Sequence, residues 1–178
     1  MRSPRLMQIG GALLALGAIL FVLFSYRTPP LVLGGGVVGI AGKADDRVNA
    51  GWNLHNRGWL PVRVTEVTIE GYDAVAPLWT AGAVGTHALM VGSSMSSIPQ
   101  EDGYLLYPLG SFTVPPDWRL PVWENATPTA RTLKAPRNYG LITRYMILKE
   151  GQHPLARSVT IRYRYLGLPM TLHHVFGP

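Results

Sequence analysis

The side chains able to do chemistry are few and scattered. A serine hydrolase needs its nucleophile on a Gly-x-Ser-x-Gly turn between a strand and a helix. The nearest candidate, Gly-Ser-Ser-Met-Ser at residues 92–96, lacks the second glycine and any helical stretch after it, and no Ser-x-x-Lys step occurs anywhere. Metal binding would have to come from His55, His87, His153, His173 and His174 with Asp45 and Asp46. Neighbouring residues on a strand point to opposite faces, so His173 and His174 cannot share an ion unaided, and the usual ligand spacing is missing. Glycoside chemistry needs two acids converging across a cleft. The pairs present, Asp45-Asp46 and Glu101-Asp102, are sequential acids of the kind that sit solvated in loops. The absence of cysteine excludes disulfides, thiolate metal sites and a lipid-modified cysteine. The expectation is a non-enzymatic protein with no metal and no cofactor, working by binding.

Residues suited to binding are more plentiful. From Arg131 to Arg164 there are eight basic residues, Arg131, Lys134, Arg137, Arg144, Lys149, Arg157, Arg162 and Arg164, against Glu150 alone. Arg162 and Arg164 share one face of a strand, and Arg144 is expected to join them from a neighbouring one. Such a face suits anionic lipid headgroups, an anionic wall polymer or an acidic partner; a solvated face with arginine stems lying over tyrosines is the plainer alternative. Five tryptophans are many for one domain. Trp52 has the parity of a core residue, whereas Trp59, Trp79, Trp118 and Trp123 lie beside turns and prolines, where aromatics serve interfaces with protein, carbohydrate or membrane. The net charge is +6, of which Arg2, Arg5 and Arg27 supply three, so the remainder is too weakly basic for a nucleic-acid binder.

What must position these side chains begins with residues 6–24, LMQIGGALLALGAILFVLF, a run without any charge. As a helix it would reach roughly 28 Å, near the thickness of a bilayer's hydrocarbon core. The pattern predicts one transmembrane helix, in contact with membrane lipid through residues 6–24. Arg2 and Arg5 precede it and Tyr26 and Arg27 follow as interfacial anchors, and the charge bias places the N-terminus in the cytoplasm and the rest outside. A cleaved signal peptide would have a shorter apolar run, about 7–15 residues, and small residues at a cleavage site. An uncleaved single-pass anchor in the cell membrane is therefore expected. Gly11 and Ala15 form one small-xxx-small step through which a second helix could pack.

The organisation expected is a cytoplasmic N-terminus and membrane helix over residues 1–27, a juxtamembrane Pro/Gly-rich segment over 28–44, and an extracytoplasmic domain over 45–178. Thr28-Pro29-Pro30 makes a stiff exit, and the apolar, glycine-broken residues 31–42 suit a strand or a buried contact. From Val48 the period becomes two: Val48, Ala50, Trp52 and Leu54 alternate with Asn49, Gly51, Asn53 and His55. Asn56, Arg57 and Gly58 supply turn chemistry. Val62 and Val64 share one parity, Val67 and Ile69 the other, which predicts a bulge near Thr65 and Glu66. Residues 72–102 read as an extended loop with one short element near 86–91. Residues 104–114 and 120–123 read as strands, and 125–138 as loop. Strands over 141–149, 158–166 and 170–176 close the chain, with Val159, Ile161, Tyr163 and Tyr165 on one face and Thr160, Arg162 and Arg164 on the other. Many short strands and no amphipathic helix argue for a β-sandwich.

The Asn56-Arg57-Gly58 turn before Pro61-Val62, the Phe-Thr-Val-Pro-Pro segment at residues 112–116, and the closing Ser-Val-Thr-Ile-Arg-Tyr-Arg-Tyr-Leu-Gly-Leu-Pro together resemble small membrane-anchored extracytoplasmic proteins of Gram-positive bacteria. The resemblance implies an all-β, immunoglobulin-like antiparallel sandwich preceded by one transmembrane helix. The function expected of such an anchored domain is that of a non-enzymatic binding or accessory module, in its specific version a small subunit of a larger membrane complex, with a protein partner in the membrane or envelope. The alternative is a cell-envelope enzyme, or a polysaccharide- or anionic-polymer-binding protein, using residues 72–102 or the basic C-terminal face.

Overall fold

The computed structural model describes residues 4–34, 40–71, 73–85, 104–117, 138–154 and 156–176. One helix, α1 (Pro4–Arg27), precedes eleven strands: β1 (Leu31–Gly34), β2 (Ile40–Gly42), β3 (Arg47–Asn56), β4 (Val62–Glu70), β5 (Val75–Gly85), β6 (Leu105–Tyr107), β7 (Thr113–Val114), β8 (Asn138–Ile147), β9 (Gly151–His153), β10 (Ser158–Tyr165) and β11 (Leu168–Val175). They form a five-stranded sheet in the order β1-β3-β8-β5-β6, a four-stranded sheet in the order β11-β10-β4-β7, and a small β2-β9 ribbon. All described pairings are antiparallel. Residues of both large sheets share one core, Leu31, Val48, Trp52, Leu141 and Tyr145 on one side meeting Val64, Val114, Val159, Ile161 and Tyr163 on the other. The fold is an all-β sandwich.

Alternation explains why β3 and β10 lie as they do. Val48, Ala50, Trp52 and Leu54 turn inward, as do Val159, Ile161, Tyr163 and Tyr165 across the core. Trp52 is fully buried, with the Tyr145 ring edge-on to it at 6.4 Å. The parity slip in β4 is a bulge: Arg162 pairs with Glu66 and Tyr163 with Val64, leaving Thr65 over. The Thr65 hydroxyl donates to the Arg162 carbonyl at 3.0 Å and ties the extra residue to its partner strand. Without it Val67 and Ile69 would face outward.

Two expectations change. The first part of the stretch expected to be a loop, residues 75–85, is strand β5, hydrogen-bonded between β8 and β6. Its alanines, glycines and proline hide it from a pattern search, yet the small residues are what the packing requires. A Cβ on Gly82 would lie 2.1 Å from the Phe112 ring, and one on Gly85 2.3 Å from the Tyr104 ring. Pro77 sits at a register shift, where a missing N–H is tolerated. The second change concerns residues 104–114, expected as one strand, which give β6 in the five-stranded sheet and β7 in the four-stranded one with a turn between them. β1, within the stretch expected to be a strand or a buried contact, belongs to the five-stranded sheet with Leu31 and Leu33 in the core. Residues 31–34, grouped above with the juxtamembrane segment, are structurally part of the sandwich, because Leu31 and Leu33 are the apolar side chains that close its edge. The expected strand at 120–123 and the loop features at 86–102 lie outside the described residues.

α1 joins the sandwich almost directly. The Thr28 N–H and hydroxyl both donate to the Phe24 carbonyl at 2.9 Å and end the helix, and the Arg57 N–H donates to the Pro30 carbonyl at 2.8 Å. Only Pro29 stands between those two attachments. Over residues 9–24 the described side chains of α1 cover about 24 Å. Among the described residues no helix is long and apolar enough to cross a membrane.

Candidate functional site

The arginines expected to form one basic face are divided between the two sheets. Arg144 lies on β8 between Asn49 of β3 and Trp79 of β5, with its Nε buried and without a hydrogen bond among the described residues. Arg162 and Arg164 lie on β10 in the other sheet, so Arg144 does not join them. Arg162 is paired with Glu66 at 2.9 Å, both side chains more than half exposed. Arg164 stands directly opposite Arg63 of β4, a residue the sequence reading did not single out. Among the described residues no carboxylate forms an ion pair with Arg63 or Arg164; the Arg63 Nε donates to the Gly110 carbonyl. The signal for Arg63 was present in the sequence: once Val62 and Val64 are inward, Arg63 is outward, and the bulge at Thr65 sets which β10 residue it meets.

This arginine pair lies at the end of the sheet nearest α1. The last cross-strand pair there is Val62 with Tyr165, and beyond it the Trp59 N–H donates to the Tyr165 hydroxyl at 3.1 Å. Asn56 builds the connecting loop. Its side-chain amide donates to the Leu60 and Val114 carbonyls at 2.9 Å, while its side-chain oxygen accepts from the Gly58 N–H at 3.0 Å. Asp117 accepts from the Asn56 N–H at 2.9 Å and approaches His55 at 3.7 Å. Gly58 must be glycine, since a Cβ there would stand 2.7 Å from Pro30 and 2.9 Å from the Tyr165 oxygen. The loop so fixed presents Trp59 at 72% exposure and Leu60 at 38%. A cavity of about 360 Å³ separates it from the helix, walled by Phe21, Phe24, Pro29, Pro30, Trp59 and Tyr165 among others.

The remaining candidates disperse. Trp79 is half-buried on the outer face of the five-stranded sheet, packed with Leu106 against Ala83, Tyr104 and Ile142. Trp118 and Trp123 lie outside the described residues, as do His87, the residues 92–96 serines and Glu101-Asp102. Gly11 is on an open side of α1, with nothing within 4 Å of where its Cβ would be, and Ala15 is likewise exposed. His153 contacts the Lys149 carbonyl, His173 the Thr160 hydroxyl, and His174 the Phe176 ring. Asp46 accepts from the Lys43 N–H in a turn. Among the described residues no three His, Cys, Asp or Glu side chains are grouped to hold a metal ion.

The perturbed acids belong to the core. Burial holds the Tyr145 phenol well above its ordinary range, opposed in part by the Thr143 side chain. Burial likewise pushes Tyr163 up to about 12, opposed by the Leu31 backbone. Both face the sandwich interior, where they act as large packing groups. No family model matches this chain, and no curated protein or solved structure matches it significantly either.

Proposed function

We propose that the chain is a single-pass, membrane-anchored extracytoplasmic module, its sandwich of the immunoglobulin-like kind, acting without catalysis as a binding or accessory subunit of a larger membrane or envelope complex. The observation that carries this reading is α1. Over residues 9–24 the side chains are apolar all round and all but Val22 exposed, Ile9 at 59%, Leu13 at 64%, Leu14 at 78%, Ile19 at 56%, Leu23 at 56% and Phe24 at 65%. A helix apolar on every side has no face to turn to water, and lipid or other helices are the surroundings that suit it. Arg2 before it and Arg5 in its first turn favour a cytoplasmic N-terminus. Gly11 and Ala15 offer the close-approach surface for a partner helix.

The test is purification of the full-length tagged protein from its native membrane in gentle detergent, with intact mass and partner identification on the same sample. The expected result is a membrane-fraction protein retaining residues 1–24, accompanied by a stoichiometric membrane protein. Recovery from the soluble fraction, or a mature N-terminus beyond residue 25, would refute the anchor. Recovery alone would refute the stable complex.

A further inference from the structure

Three features stand together at the α1 end of the sandwich. Arg63 and Arg164 are directly opposite on neighbouring strands, an arrangement that is destabilising for like charges. Leu166 and Gly167 form the tight turn from β10 to β11 with φ of 55° and 78°. Such hairpin turns favour asparagine or aspartate before the glycine, and a leucine in the left-handed region is strained. Leu166 is nevertheless there, 45% exposed. Trp59, finally, is held on an ordered loop with most of its ring toward solvent. The first two cost the isolated domain something, and all three lie at the end of the sheet where Trp59 and Tyr165 face Phe21 and Phe24 of α1, with Arg27 and Arg57 exposed.

We infer that this end of the sandwich rests on an anionic lipid bilayer, with Trp59, Leu60 and Leu166 entering the headgroup layer and Arg57, Arg63 and Arg164 meeting lipid phosphates. This deepens the reading of α1 as a membrane anchor and depends on it. Tryptophan ringed by arginine is the composition of a membrane boundary, and basic side chains near an anionic surface gain electrostatic attraction that falls off within a Debye length. Anionic headgroups also remove the cost of the Arg63–Arg164 pair, since each phosphate screens one guanidinium from the other. The near-absent linker keeps the contact in place: with only Pro29 unattached, a helix set in the bilayer brings Trp59 to its surface.

The chain has no cysteine, so single nitroxide labels can be placed in the full-length protein. Leu60→Cys and Leu166→Cys report the docking surface. Leu14→Cys reports the helix. Val175→Cys reports the far end, since it pairs with Ser158 while Leu168 pairs with Tyr165, about 23 Å along the strand. In vesicles of phosphatidylcholine mixed with phosphatidylglycerol, the labels at 14, 60 and 166 should collide with oxygen and be shielded several-fold from a water-soluble nickel chelate. The label at 175 should stay open to the chelate, and R63Q/R164Q should return 60 and 166 toward water. A lipid-facing 14 with water-facing 60 and 166 would overturn the docking while leaving the anchor intact. A water-facing 14 would overturn both. Equal immersion of 60 and 166 in phosphatidylcholine alone would overturn the anionic preference.

Discussion

On the four-stranded sheet the outer face is charged and open, with Arg63, Glu66, Arg162, Arg164 and Thr171 all exposed; on the five-stranded sheet it is closed over small and apolar residues. There Ala83, Tyr104 and Ile142 are buried, as are Asn49 and Gly51 on the same side of β3. One sheet thus has a single buried face and the other has two. The open face leaves its strands an alternating pattern, whereas burial on both faces allows the polar half of that alternation to be lost, as it is in β5.

The contrast is most sharply tested by placing one charge on each face. Ala83→Asp should cost upwards of about 4 kcal/mol in denaturant unfolding, because its carboxylate would be fully buried beside Tyr104 and Ile142. Thr171→Asp, on the open face opposite Arg162, should change stability by no more than about 0.5 kcal/mol. Equal effects would erase the distinction. Next come the two glycines of β5. Gly82→Val drives into Phe112 within the shared core and Gly85→Val into Tyr104 on the outer side, and each should lose about 2–3 kcal/mol. A harmless Gly85→Val would mean that the outer cluster yields freely.

Tyr145 and Tyr163 face each other's sheets, and both have phenols raised above the unfolded value of 10.0. Above pH 10 the unfolded chain releases these protons and the folded chain keeps them, so their contribution is full below 10 and falls as pH rises toward 12. Urea midpoints should decline over that window, and Tyr163→Phe should make the decline shallower. Smallest of all are the exposed charges. Arg162→Gln and Glu66→Gln should each cost under about 1 kcal/mol, as expected of a solvated pair. Arg164→Thr should raise the melting temperature slightly by relieving Arg63. A loss there would show that Arg164 supports the fold.

The same contrast explains how much could be read beforehand. β10 and the Thr65 bulge were legible because their exposed residues are polar and mark the parity, and β3 because its outward Asn49, Asn53 and His55 are polar even where they are covered. β5 was not, because Gly82 and Gly85 give way to the rings of Phe112 and Tyr104, thirty and nineteen positions away, and Ala83 packs beside Tyr104. The site was legible only in part: Arg162 and Arg164 were placed on the correct face, but the division of Arg144 from them depends on strand order, which no local pattern encodes. The convergence of Trp59, Arg63 and Leu166 depends likewise on the pairing of β4 with β10.

The joint between α1 and β1 has a mechanical consequence. Proline has a fixed φ, and the residues on either side of Pro29 are hydrogen-bonded, one to the helix and one to the Arg57 loop. Torsion applied to the helix is therefore passed to the edge of the five-stranded sheet with little slack. Rotation of the helix by a neighbour would swing the whole sandwich like the arm of a crank, sweeping its far end through an arc instead of letting it drift.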